Sequence, residues 1–345
     1  MHFDILMPLI LFIVTLAAMY IGSKSESKIK TIVEEREFRH RDIAMLVALI
    51  AIAVSVIMFI PTMAIVIVFL FSYSTLLFTV SYAYSAMKPK RIQLYCLAFI
   101  IPSIIASIVC FLEILPNLPI YGAFPFLIFA FCSSFVLIYS QKKINQKQKW
   151  YIAALSPVLF ILLFVFFSGT HIWSPYLLDF YGITFAILIV TYLGSMFNWK
   201  TVFLFAGFLT GLDIILVWGT GTMVQAATAL SGLQLPVLVT FPTIPWALTE
   251  SGAILMMKLG LGDFFFAGIL GTQTWKKFGK KMAIISTATI ALSFGIFEII
   301  LLNPELYSAL PVKALPATLP ILIGWLPIIG IKLLIDKKRN KKLPT

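Results

Sequence analysis

Two aspartates stand where a membrane-spanning sequence ordinarily carries no charge. Asp213 lies in TVFLFAGFLTGLDIILVWGTGTM, residues 201–223, and Asp263 in AILMMKLGLGDFFFAGILG, residues 253–271. A charge at the bilayer centre costs at least ~2.5–3.5 kcal/mol on insertion scales, so such residues mark functional sites by default. Asp213 follows Lys200 by 13 residues and Asp263 precedes Lys276 by 13. At ~1.5 Å of helical rise per residue, both lie about 20 Å from the basic residues at the membrane edge. If the two spans are consecutive and antiparallel, the carboxyls face each other at one level. Two carboxyls side by side in a low-dielectric site do not both ionise; they share a proton. That state suits acid–base attack on an amide. The ionised group takes a proton from water, while its partner polarises the carbonyl and later protonates the leaving nitrogen. The same pair also suits a proton-coupled transporter, which places acids at the midplane near broken helices, or a buried structural pair.

Three stretches around these acids depart from plain helix. Gly260 and Gly262 flank Leu261 just ahead of Asp263. Glycine weakens a helix and lets another backbone approach closely, although small residues also serve ordinary helix packing in membranes. Gly219, Thr220, Gly221 and Thr222 end the span that carries Asp213. PVKALPATLP, residues 311–320, puts Pro311, Pro316 and Pro320 at the entry to the last span. Proline removes donors and leaves carbonyls free, which gives either a kinked helix entry or an unwound segment able to pair with an extended chain.

Most of the other acids, among them Asp4, Glu113, Asp179, Glu250 and Glu298, fall in loops or near helix ends, and Glu113 and Glu298 are expected at the outer edge within reach of water. His2, His40 and His171 are scattered, and Cys96, Cys110 and Cys132 sit inside apolar runs. No metal, cofactor or disulfide framework is expected from them.

The elements that must position the aspartates are membrane helices. Of the 345 residues 61% are apolar and 12% charged, against about 25% charged in soluble domains. Mean hydropathy is +1.02. Apolar runs cover roughly 3–22, 43–60, 62–87, 92–115, 118–140, 150–168, 180–198, 201–222, 250–272, 282–302 and 314–335, and each has the length of a membrane crossing. Pro61 splits the second from the third. Loops rich in lysine and arginine alternate with nearly bare ones throughout. This predicts an all-α polytopic membrane protein of about eleven helices, with the N-terminus outside and the C-terminus cytoplasmic. The net charge of +12 is therefore assigned to membrane edges and not to nucleic acid. MHFD lacks the basic start of a cleavable signal peptide, so residues 3–22 are expected to remain as the first span. The chain reads as one membrane domain, 1–345, with N-terminal helices over 1–199, the acid-bearing helices over 200–335 and a basic tail over 336–345. The longest outer loop, 223–249, fits a re-entrant or surface-lying segment, a lid or a linker.

Together these stretches resemble the intramembrane aspartyl proteases, the presenilin and signal peptide peptidase superfamily. Gly260-Leu261-Gly262-Asp263 matches its GxGD motif, and Asp213 matches the aspartate of its YD motif, with Leu212 in place of tyrosine. DIILVWGTGTMVQAA is similar to the pattern that follows this aspartate in the signal peptide peptidase branch. Phe241-Pro242 and RDIAM, residues 41–45, fit that branch as well. Ala314-Leu315-Pro316 resembles the PAL segment, with Lys313 where its first proline would stand. The likeness covers about 1–87 and 150–335. It implies a nine-helix core, so that 92–140 becomes an inserted helix pair that preserves the family orientation. It also implies a catalytic dyad of Asp213 and Asp263, with Gly260, Leu261, Gly262, Ala314, Leu315 and Pro316 holding the substrate. Partners would be transmembrane segments of other proteins, of type II or signal-peptide kind, within the lipid bilayer of a prokaryotic, in particular archaeal, cell membrane, or of an endomembrane in a eukaryote. The rival readings are the proton-coupled transporter and an inactive homologue that binds membrane helices.

Overall fold

The structure is a computed structural model of the chain and describes residues 3–29, 37–72, 74, 89–114, 120–142, 150–249, 252–303, 305 and 316–340. It is built almost wholly of helices: α1 (Leu6–Ile29), α2 (His40–Phe59), α3 (Met63–Ser72), α4 (Pro89–Phe111), α5 (Ala123–Lys142), α6 (Leu155–Phe167), α7 (Leu178–Met196), α8 (Trp199–Ile214), α9 (Thr222–Gly232), α10 (Leu261–Phe278), α11 (Lys280–Leu302) and α12 (Thr318–Asn340). Among the described residues, eight helices are long and apolar enough to cross a membrane. They correspond to α1, α2, α4, α5, α7, α8, α11 and α12. The helices Met63–Ser72 and Leu155–Phe167 are apolar but shorter, and α10 carries Asp263, Lys276 and Lys277. The architecture is that of an all-α polytopic membrane protein. The expected run 62–87 lies outside the described residues beyond Ser72, apart from residue 74.

Lipid-facing surfaces show directly in side-chain exposure. Along α2, Met45, Leu49, Ile52, Val56 and Phe59 are exposed, recurring every three or four residues as one helix face does. Along α4, Leu94, Leu97, Ile101, Ile104, Ile108 and Phe111 are exposed in the same way. Apolar stripes of this length have no place against water; hydrocarbon covers them.

The chain forms two compact units. One comprises residues 65–181 and 234–236. There the expected pair at 92–140 appears as α4 and α5, packed together around Ile92, Cys96, Phe129 and Val136, with Ile152 and Leu155 closing the cluster. Ser107 Oγ donates to the Ala123 carbonyl at 3.1 Å. Trp173 is fully buried beside Phe164 and Tyr181, and its Nε1 donates to the Gln234 carbonyl at 2.8 Å. Cys96 and Cys110 are free thiols packed in the interior.

The other unit, residues 1–64, 182–233 and 237–345, is built round α10. Every residue of α10 from Phe264 to Thr274 is buried, as a helix surrounded by other helices requires. Close packing there depends on missing side chains. A Cβ on Gly268 would strike Val190, and one on Gly271 would strike Met19. Gly324 of α12 lies against the backbone of α11, where a Cβ would come within 2.5 Å of the Thr289 carbonyl oxygen. With lipid outside, helices gain little from hydrophobic exclusion, so such van der Waals approach is what holds them together. Asp4 caps α1, accepting from the backbone N–H groups of Leu6 and Met7, and also takes one from Ile244 at 2.8 Å.

Two expectations are corrected here. The run 250–272 is not one helix. Residues Met256–Gly260 form strand β2, antiparallel to β1 (Leu238–Pro242), with Leu238 opposite Gly260 and Thr240 opposite Lys258. The helix begins only at Leu261. Gly260 is extended at φ −73°, ψ 148°. It ends the strand, and the two glycines make Gly260-Leu261-Gly262 a poor helix interior. The hairpin turns Val239 and Leu259 to a buried face. The loop 223–249 accordingly resolves into α9, β1 and a short connection. The second correction concerns Glu298, which is not at a wet edge. It is 1% exposed and, among the described residues, neither carboxylate oxygen has a hydrogen-bond partner.

Candidate active site

Asp213 stands one residue before the end of α8. The helix is set at its start by Asn198, whose side chain accepts from the N–H groups of Lys200 and Thr201. Beyond Ile214 the coil widens to a π-helical turn, Ile215–Gly219. It breaks at Gly221, whose φ of +67° is left-handed, a conformation glycine adopts without steric cost. The small cluster 219–222 thus ends this helix and begins α9.

Asp263 occupies the first turn of α10. It arrives there because β2 runs straight into the helix: the Leu261 N–H donates to the Val237 carbonyl at 3.0 Å, which extends the β1–β2 ladder by one bond. The Gly260 backbone donates to the Asp263 carboxylate. Residues 200–213 and 263–276 are both helical, so the equal rises inferred from sequence hold over both segments. α8 packs on α10, the two helices that carry the aspartates. Phe205 of α8 stacks edge-on against Phe265 and Phe266 of α10, with ring centroids 5.8 and 6.2 Å apart, and fixes that approach. Both aspartates retain partial exposure, and Gly262 beside Asp263 is exposed.

The last helix supplies a residue that sequence reasoning missed. Thr318 is the first residue of α12 and is 4% exposed. Its Oγ1 donates to Asp213 Oδ2 at 2.6 Å, and its backbone also hydrogen-bonds that carboxylate. Pro316, two residues earlier, is buried. The available signal was a hydroxyl two residues past a proline at a helix entry, where Ser and Thr favour capping. Ala314, Leu315 and Lys313 lie outside the described residues, as do Glu250 and His2.

Both acids therefore sit at helix N-termini, Asp263 on its own helix and Asp213 on that of a neighbour. Free N–H groups and the helix dipole favour negative charge at such ends. This is how a bundle can keep carboxylates at membrane depth. Gly260 adds a steric limit: a Cβ there would lie 3.2 Å from Asp263 Oδ2, whereas one on Gly262 would meet nothing within 4 Å. Lys258, exposed on β2, donates from Nζ to Ser231 Oγ on α9 and ties that helix to the hairpin. Among the described residues there is no group of three or more His, Cys, Asp or Glu suited to a metal ion. No protein-family model matches this chain, and no curated protein does.

Proposed function

We propose that this protein is an intramembrane aspartic endopeptidase that hydrolyses peptide bonds within transmembrane segments of other membrane proteins. The observation that carries the reading is that Asp213, bonded to the first residue of α12, and Asp263, in the first turn of α10 just after the strand that ends at Gly260, stand on helices packed against each other. One ionised carboxylate draws a proton from water. The protonated partner polarises the scissile carbonyl and then protonates the departing nitrogen. A helical amide is shielded by its own hydrogen bond, so the substrate must be extended before attack. Among the described residues the sheet has two strands, and a substrate strand added to it would exchange helical hydrogen bonds for intermolecular ones. Pro316, with Ala314 and Leu315, lies on the chain leading into Thr318 and is assigned to substrate binding, as are Leu261 and the open space at Gly262. In this reading the protein crosses the cell membrane eleven times, N-terminus outside, and takes type II segments.

The resemblance of GLGD, of the stretch after Asp213 and of Ala-Leu-Pro to the presenilin and signal peptide peptidase superfamily supports a protease over a proton-coupled transporter. The two are separated in liposomes by measuring reporter hydrolysis and proton uptake on the same preparations. The protease reading predicts hydrolysis lost in both Asp213→Asn and Asp263→Asn, with no aspartate-dependent proton flux. Aspartate-dependent flux without hydrolysis would overturn it.

A further inference from the structure

A carboxyl pair that shares a proton needs something to decide which member carries it. Asp213 and Asp263 are unequal in this respect. Asp263 takes a backbone hydrogen bond from Gly260, within its own helix cap. Asp213 takes two from a single residue of another helix, the hydroxyl of Thr318 at 2.6 Å and its backbone N–H. Asp213 thereby fills the capping position of α12 from a distance of 105 residues in sequence. Hydrogen bonds from hydroxyl and backbone donors to a carboxylate are charge-assisted and favour its ionised form. A threonine hydroxyl that donates to Asp213 cannot also accept a proton from it by the same bond, so the bond is strongest when Asp213 is the unprotonated member.

We infer that Thr318 is a positioning residue of the dyad: by donating to Asp213 at the start of the last helix, it holds that carboxylate as the ionised base and leaves Asp263 as the acid. This rests on the protease reading.

The test uses the full chain in proteoliposomes with three variants. Thr318→Val keeps the shape and removes the hydroxyl, Thr318→Ser restores it, and Asp213→Ala removes its acceptor. The inference predicts that Thr318→Val lowers kcat by about 10- to 100-fold, as loss of a hydrogen bond to a charged group does, while KM stays within about twofold of wild type. Thr318→Ser recovers most of the rate, which a role in packing alone would not produce. Wild-type kcat in Thr318→Val, or an equal loss in Thr318→Ser, would overturn the inference while leaving the protease reading intact. Failure of the wild-type chain to cut any reporter would instead count against the protease reading. In that event a double-mutant cycle of thermal unfolding over Asp213→Ala and Thr318→Val still decides the contact on which the inference stands. Coupling between the two substitutions supports it, and strict additivity removes it.

Discussion

At the residue scale, the two glycines before Asp263 have different duties. Gly260 keeps an extended, negative φ that any residue tolerates, so its lack of a side chain matters for space and not for backbone freedom. A methyl group there would press on Asp263 Oδ2 at 3.2 Å. Gly260→Ala is expected to lower kcat by roughly tenfold, since displacing a reacting group costs alignment, with thermal stability unchanged in detergent. Gly262→Ala meets open space. It should fold normally and raise KM for a transmembrane reporter, because the space it fills is the one assigned to substrate. Equal kinetics for the two alanine variants would contradict this division. The two candidate acids were legible in the sequence as charges within apolar runs, each 13 residues from Lys200 or Lys276. Thr318 was not legible, because a lone threonine at a helix entry satisfies itself locally in most proteins, and only tertiary packing shows that its hydroxyl reaches Asp213.

At the scale of elements, α10 and its neighbours are held by backbone proximity, which fixes where substitution is intolerable. A side chain on Gly324 would meet the Thr289 carbonyl and the Ile290 backbone, neither of which can rotate away. Gly324→Ala is expected to destabilise the bundle by about 1–3 kcal/mol, the usual cost of overpacking. Gly330→Ala, where nothing lies within 4 Å, serves as the control. Unfolding midpoints in one detergent compare them, and an unshifted midpoint for Gly324→Ala would show that α11 and α12 can part at that point. The hairpin is the element the sequence concealed. Met256–Gly260 adjoins an apolar run and, despite Lys258, reads as its beginning, because hydropathy cannot distinguish strand from helix in so short a stretch. The pairing partner, Leu238–Pro242, lies across a loop and is invisible to periodicity. Glu298 was misplaced for a related reason: nearness to a helix end suggested water, but packing within the bundle buries it.

At the scale of the whole molecule, charge sets orientation. Basic clusters alternate with bare loops along the entire chain, which predicts opposite sides for the two termini. Tags at each end, probed with antibody on intact and lysed cells, should find the N-terminal tag accessible throughout and the C-terminal tag only after lysis. Both tags on one side would mean an even number of crossings, and the short helix Leu155–Phe167, of 13 residues, is the first place to look for the failure. An odd number with this orientation puts the hairpin and the outer end of α8 toward the exterior and the basic tail toward the cytoplasm. Substrate would then approach from the side on which a type II segment presents its C-terminal half.

The most direct measurement is cleavage of a type II single-span reporter in proteoliposomes, with the products weighed by mass spectrometry for wild type, Asp213→Asn and Asp263→Asn. The account predicts a cut inside the reporter's membrane span in the wild type and none in either variant. A cut outside the span, or one that survives loss of either aspartate, would contradict it.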